Sequence, residues 1–136
     1  MKTKKIIILR GVSGSGKSTA AKLFGGNVEI CCSDDFFTSE DGEYNFAQSR
    51  LSDAHEYCRN KFVAALEKED VDTIIVANTN SREPEFAFYD EKAKEVGVDI
   101  FYFVIENRHG NKDIHNVPID AKSRQLNNII NSLKLI

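Results

Sequence analysis

Four polar stretches carry the side chains able to do chemistry: GVSGSGKS at 11–18, SDD at 33–35, NTN at 78–80 and NRHGNKDIH at 107–115. The first has the spacing G-x-x-x-x-G-K-[ST], and each residue type in it has a physical reason to be there. Glycines let backbone N–H groups turn inward around an anion, and the helix that follows adds a partial positive charge. Lys17 can then neutralise the outer phosphates, and the Ser18 hydroxyl can ligate Mg²⁺. Ser13, Gly14, Ser15, Gly16, Lys17, Ser18 and Thr19 are therefore the candidate nucleotide-binding residues.

The second stretch sets two carboxylates side by side. At a strand end adjacent side chains diverge, so Asp34 and Asp35 are expected to separate rather than share a proton. One faces the crevice; the other turns aside, toward backbone or the magnesium waters. A carboxylate beside a γ-phosphate can accept the proton of an attacking hydroxyl, although Asp also serves in plain turns. The apolar run TIIVA continues into Asn78, so the acidic group that many phosphate-loop ATPases and GTPases carry there is missing. No N/T-K-x-D segment favours guanine.

These stretches need elements to hold them. KKIIILR (4–10), VEICC (28–32), TIIVA (73–77) and VDIFYFVI (98–105) read as strands, the first and third as continuous β-branched runs that suit burial in a parallel sheet. TAAKLF (19–24) reads as a helix giving Leu23 and Phe24 to the core, ended by Gly25-Gly26. Residues 46–69 place Leu51, Ala54, Cys58, Phe62, Ala65 and Leu66 on one helical stripe. Glu83-Pro84 opens a helix that Gly97 closes, and 119–136 forms a last helix with Leu126, Ile129, Ile130 and Leu133 on one side. Strands alternating with helices predict an α/β domain over 1–136, with a parallel sheet of about four strands and helices on both faces. Ligands sit at the carboxyl ends of such strands, where all four polar stretches begin.

Composition sets the bounds. With 136 residues, 41% hydrophobic and 29% charged, the chain has the makeup of one soluble globular domain. No apolar run approaches the length that spans a bilayer. The N-terminal run is too short for a signal peptide and is interrupted by Arg10. A net charge of −3 argues against an extended nucleic-acid footprint and favours a small or end-bound substrate. Cys31, Cys32 and Cys58 lack disulfide or zinc spacing and read as buried thiols of a reducing, cytoplasmic protein.

Taken together, GVSGSGKSTAAKLF, SDDFF, IIVANTN and NRHGNKDIHNVPID make the chain similar to the phage-type polynucleotide kinase branch of the P-loop kinases, which includes small SDDFF-bearing ATP-binding proteins. The resemblance implies a P-loop kinase fold with a short lid at about 106–118. It also implies ATP and Mg²⁺ as cofactors, and transfer of the γ-phosphate to the 5′-hydroxyl of a nucleic-acid end. It assigns Asp34 as general base, Asn78 and Thr79 to the acceptor side, and Arg108 and Lys112 to the lid over ATP, which leaves Asp35 for a supporting or magnesium-side role. Two positions depart from the family: Phe37 stands where an arginine grips the acceptor phosphate, and Asn78 where an aspartate stands. Arg82 is a candidate to replace that arginine, and Phe36 and Phe37 are candidates either to stack on a base or to pack. His55, His109 and His115 read as boundary or loop histidines. A small-molecule or nucleoside kinase, or a nucleotide-binding module without an acceptor, is the alternative reading.

Overall fold

The computed structural model describes residues 4–110, 113 and 115–136. Four strands form one parallel sheet in the order β2-β3-β1-β4: β1 (Lys5–Arg10), β2 (Val28–Cys31), β3 (Thr73–Val76) and β4 (Asp99–Val104). The two central strands are the runs IIIL and TIIV, buried along their length, as expected for strands covered on both faces. Period-two alternation divides them: Ile6 and Ile8 enter the core beneath the long helices, and Ile7 and Leu9 enter the core on the opposite face.

On the first face lie α2 (Leu51–Glu67) and α3 (Glu83–Val96). Ala54, Cys58, Phe62 and Ala65 of α2 recur at helical spacing and are buried, and Phe62 meets Tyr89 of α3 with ring centroids 4.9 Å apart. Each such fully buried large side chain contributes about 1.5–3 kcal/mol. Pro84 sits in the first turn of α3. Gly97 ends the helix at φ 73°, and the Val98 N–H reaches back to the Ala93 carbonyl at 2.9 Å. The expected limits of this helix are those observed.

Three expectations need correction. The helix after the glycine-rich loop, α1, is only Lys17–Ala21; i→i+3 bonds tighten the chain beyond it, Leu23 is 82% exposed, and only Phe24 turns in, onto Phe103. The long helix starts at Leu51 rather than 46, because Phe46 is drawn out against Phe37, at 5.1 Å, and a 3-10 turn over Gln48–Arg50 makes the join. The last helix, α4 (Ile119–Asn131), buries Ile129 but leaves Leu126, Ile130 and Leu133 exposed. Its inner side instead makes polar contacts at the strand ends. Among the described residues no helix is long and apolar enough to cross a membrane.

Arg10 ends β1 and is 4% exposed. Its guanidinium donates to the Asn80 carbonyl at 2.7 Å, to the Ser81 carbonyl at 3.2 Å and to the Ser132 hydroxyl of α4, and lies 4.8 Å from the Phe86 ring centre. One residue thus joins β1, the loop after β3, α3 and α4. Arg10→Ala leaves two carbonyls without that donor, and should lower the free energy of unfolding by about 2–4 kcal/mol in urea titration. An unchanged midpoint would contradict this role.

Candidate functional site

Parallel register brings three strand ends together. The Gly11 N–H donates to the Thr79 carbonyl at 3.1 Å, and the Ala77 N–H donates to the Cys31 carbonyl at 2.9 Å. Beyond β2 the chain folds into a 3-10 turn, Ser33–Phe37, which carries both aspartates. Asn78 fixes this turn: its Oδ1 accepts the Ser33 N–H at 2.8 Å while its Nδ2 donates to the Cys58 sulfur at 3.4 Å. An aspartate at 78 could take the first bond but has no proton for the second. The departure at this position therefore matches the thiol beneath it. His55 supports the turn from outside, its Nδ1 3.2 Å from the Ser33 hydroxyl.

The ends surround a crevice of about 470 Å³, lined by residues 13–20 of the glycine-rich loop, Leu23, Cys32, Asp34, Ala77, Asn78, Thr79, His109, Asp113 and His115. Gly14 has φ 80°, and a Cβ there would come within 2.8 Å of the Asp113 Cβ, so only glycine fits. The Lys17 ammonium donates to the Gly11 and Val12 carbonyls, each at 2.9 Å. Burial pulls it down to about 8, against the raising fields of Cys32, Asp34 and Asp113. The Ser15 hydroxyl is buried with no hydrogen-bond partner in the structure.

The two aspartates do separate. Asp34 enters the crevice; its Oδ1 accepts from the Tyr44 hydroxyl at 3.4 Å, and its Oδ2 lies 3.6 Å from His115 Nε2. Burial, then the field of Asp34, pushes Tyr44 up to about 12, so it remains a donor. Asp35 is exposed, does not line the crevice, and lies in the field of Lys61. Asn78 and Thr79 line the crevice. Arg108 does not: it is exposed and bonded to Glu106. Lys112 lies outside the described residues. Arg82 is engaged by Glu85 at 3.3 Å. Phe37 is buried against Phe36, Tyr44 and Phe46, which makes it the anchor of loop 38–46 rather than a surface for a base. Phe36 is partly exposed, beside Tyr57 and under the Arg50 guanidinium. All three cysteines are free and buried, and burial raises Cys31 and Cys32 to about 12.

Two members of the site were not singled out as ligands from sequence. His109 Nε2 lies 2.8 Å from the Gly14 carbonyl. Asp113 packs on Gly14 and accepts from the His115 N–H, the Lys122 ammonium and the Val117 N–H at 2.9, 3.0 and 3.3 Å. Burial alone would raise the Asp113 carboxyl; those donors outweigh it and hold it low. The sequence signal was there, an Asp two residues before His115 in a turn, but it reads equally as an ordinary loop residue.

The oxygen donors fit a magnesium–nucleotide. Ser18 and Asp34 bring hard oxygen ligands to the crevice, and no cluster of three or more His, Cys, Asp or Glu able to hold a metal exists among the described residues.

No family model matches the chain. Human NEDD4-binding protein 2 is 37% identical over 78 residues, 55% of this chain, and the chain spans only 4% of that protein's length. A chain of the Pnkp1/Rnl/Hen1 RNA repair complex superposes with a TM-score of 0.72 at 21% identity, over 97% of this chain and 46% of that one. The Mycobacterium tuberculosis APS kinase CysC, as a single-site mutant, gives a TM-score of 0.56 at 20% identity, over 97% of this chain and all of its own. These likenesses establish the fold, an α/β P-loop-kinase-like sheet with helices on both faces.

The lysine supplies a pH test. Phosphates favour the charged ammonium, so binding raises the Lys17 value from its free level of about 8. Below that pH the ammonium is already present and affinity for MgATP should be flat. Above it, affinity should fall by up to tenfold per pH unit. Calorimetric titration between pH 7 and 9.5 measures this, and Lys17→Met should bind weakly with no such slope. A wild-type affinity independent of pH above 8 would contradict the assignment.

Proposed function

We propose that the protein is an ATP-dependent kinase that transfers the γ-phosphate to a hydroxyl, the 5′-hydroxyl of a nucleic-acid end. The observation that carries this reading is Asp34: a carboxylate lining the same crevice as Lys17, with one oxygen accepting from the Tyr44 hydroxyl. The glycine-rich loop, Lys17 and Ser18 hold the triphosphate. Ser18 and Asp35 would hold a magnesium ion brought with the nucleotide, which would neutralise charge on the phosphate oxygens. Asp34 takes the proton of the acceptor hydroxyl as its oxygen bonds to the γ-phosphorus. The bond from that phosphorus to the β–γ bridging oxygen breaks, and ADP leaves. Lys17 neutralises the charge transferred.

The nucleic-acid acceptor is supported by the motif resemblance and by the fold shared with a chain of the RNA repair complex. The resemblance gives Arg108 and Lys112 lid contacts to ATP, and Asp35 is the candidate for a supporting or magnesium-side role. A second reading, a small-molecule or nucleoside kinase, is favoured by one specific observation. Phe37 is buried where an acceptor-gripping arginine would stand, and Arg82 is held by Glu85.

Incubation with γ-labelled ATP and 5′-hydroxyl DNA or RNA should label the oligonucleotide. Asp34→Asn should lower kcat by roughly 10²–10⁴-fold while the ATP dissociation constant stays within about twofold. ATP binding without transfer to any DNA or RNA end would rule out the polynucleotide acceptor. Transfer to nucleosides or sugars in the same assay would establish the second reading.

A further inference from the structure

His115 has no part in the scheme above, yet it is the crevice residue with the most unusual surroundings. It lies within residues 106–118, whose described members His109 and Asp113 rest on the phosphate loop. Its ring stacks on Tyr44 with centroids 4.0 Å apart and planes inclined by 36°. Its Nε2 is 3.6 Å from Asp34 Oδ2, and the Tyr44 hydroxyl reaches Oδ1 of the same carboxylate at 3.4 Å. Its Nδ1 is buried and has no hydrogen-bond partner among the described residues. Its backbone N–H is fixed by Asp113 at 2.9 Å.

We propose that His115 is the positioning residue for Asp34, aiming the carboxylate into the crevice through Nε2–H while Tyr44 holds the second oxygen and the face of the ring. The proposal rests on the reading of Asp34 as general base. The tautomer follows from the surroundings. A proton on Nδ1 would be a buried donor with no acceptor, whereas a proton on Nε2 faces a carboxylate, leaving a bare lone pair inside. A distance of 3.6 Å is long for a hydrogen bond. Catalytic contacts of this kind are commonly long before substrate binds and tighten with it.

The arrangement has a mechanical consequence. Tyr44 belongs to loop 38–46, anchored by Phe37; His115 belongs to the segment lying on the phosphate loop; Asp34 sits between them. The groups facing the imidazole are Asp34 from the turn, Tyr44 from the loop and Asp113 from its own segment, and Lys17 lines the same crevice. Asp113, which packs on Gly14 and binds the His115 N–H, thereby links the phosphate loop to the aim of the base.

The test compares His115→Ala, His115→Gln and wild type at saturating ATP. The alanine variant should lose about a hundredfold in kcat, as expected for a misplaced reacting group, with ATP affinity within twofold and melting temperature nearly unchanged. Glutamine, whose amide N–H can stand where Nε2–H stood, should recover to within about tenfold of wild type. An alanine variant with wild-type kcat would overturn the proposal. So would a loss appearing equally in ATP affinity and melting temperature without rescue by glutamine. If the wild-type protein phosphorylates no acceptor, the base reading fails, and the positioning claim is decided by imidazole ¹⁵N spectra. The His115 proton should reside on Nε2, with a resonance that moves in Asp34→Asn while that of His55 does not. A ring protonated at Nδ1, or one indifferent to Asp34→Asn, would overturn it.

Discussion

The side-chain amide of Asn78 is the contact on which the site depends. It stands where β3 ends, accepts the first N–H of the aspartate turn and gives its own proton to a thiol on α2. Without it, β2 and β3 would still pair, because their register is set by backbone bonds and by packing of Ile30, Ile75 and Ala77. The turn that presents Asp34 would lose its link to the sheet. The same sulfur accepts the Tyr89 hydroxyl at 3.2 Å, so the amide, the thiol and α3 form one buried polar chain under the turn. Such chains are rigid when every member has its partner.

Charge within the crevice is balanced by the protein itself. Lys17 borrows two carbonyls of its own loop, Asp34 accepts from Tyr44 with His115 Nε2 3.6 Å away, and Asp113 is saturated by three donors. The costs differ among them. Lys17 remains desolvated and pulled down to about 8, which makes it the group with most to gain from an anion. Asp113, by contrast, is held low and committed to structure. This contrast separates a ligand-seeking group from a structural one more clearly than residue type does.

Much of the fold was legible because its signals are local and strong. β-Branched runs marked the two central strands, Pro84 and Gly97 marked α3, and strand–helix alternation gave a parallel sheet. The glycine-rich spacing and the divergence of the two aspartates were also legible, since both follow from backbone geometry. Helix starts set by distant packing were not. Phe46 looked like the first residue of a helix, and only its contact with Phe37 shows why it is not. Leu23 and the outer residues of α4 were apolar at helical spacing, yet periodicity cannot say whether an element exists to cover them. Phe37 drew attention as a missing arginine; the structure shows a buried aromatic that supports the loop bearing Tyr44. The partnership of His115 with Asp34 spans 81 positions and could not be read from spacing. Arg108 and Lys112 carry roles by resemblance alone, and Arg108 and Asp35 lie outside the crevice lining.

The proposed mechanism requires Lys17 and Asp34, which line one crevice, to face the same transferred phosphoryl group. A crystal structure with Mg²⁺ and a non-hydrolysable ATP analogue tests this most directly. The account predicts that the Lys17 ammonium leaves the Gly11 and Val12 carbonyls for γ-phosphate oxygens, and that the Asp34 carboxylate faces that phosphate across a gap wide enough for one hydroxyl. A γ-phosphate seated away from Asp34, or a lysine still bound to its own loop, would contradict it.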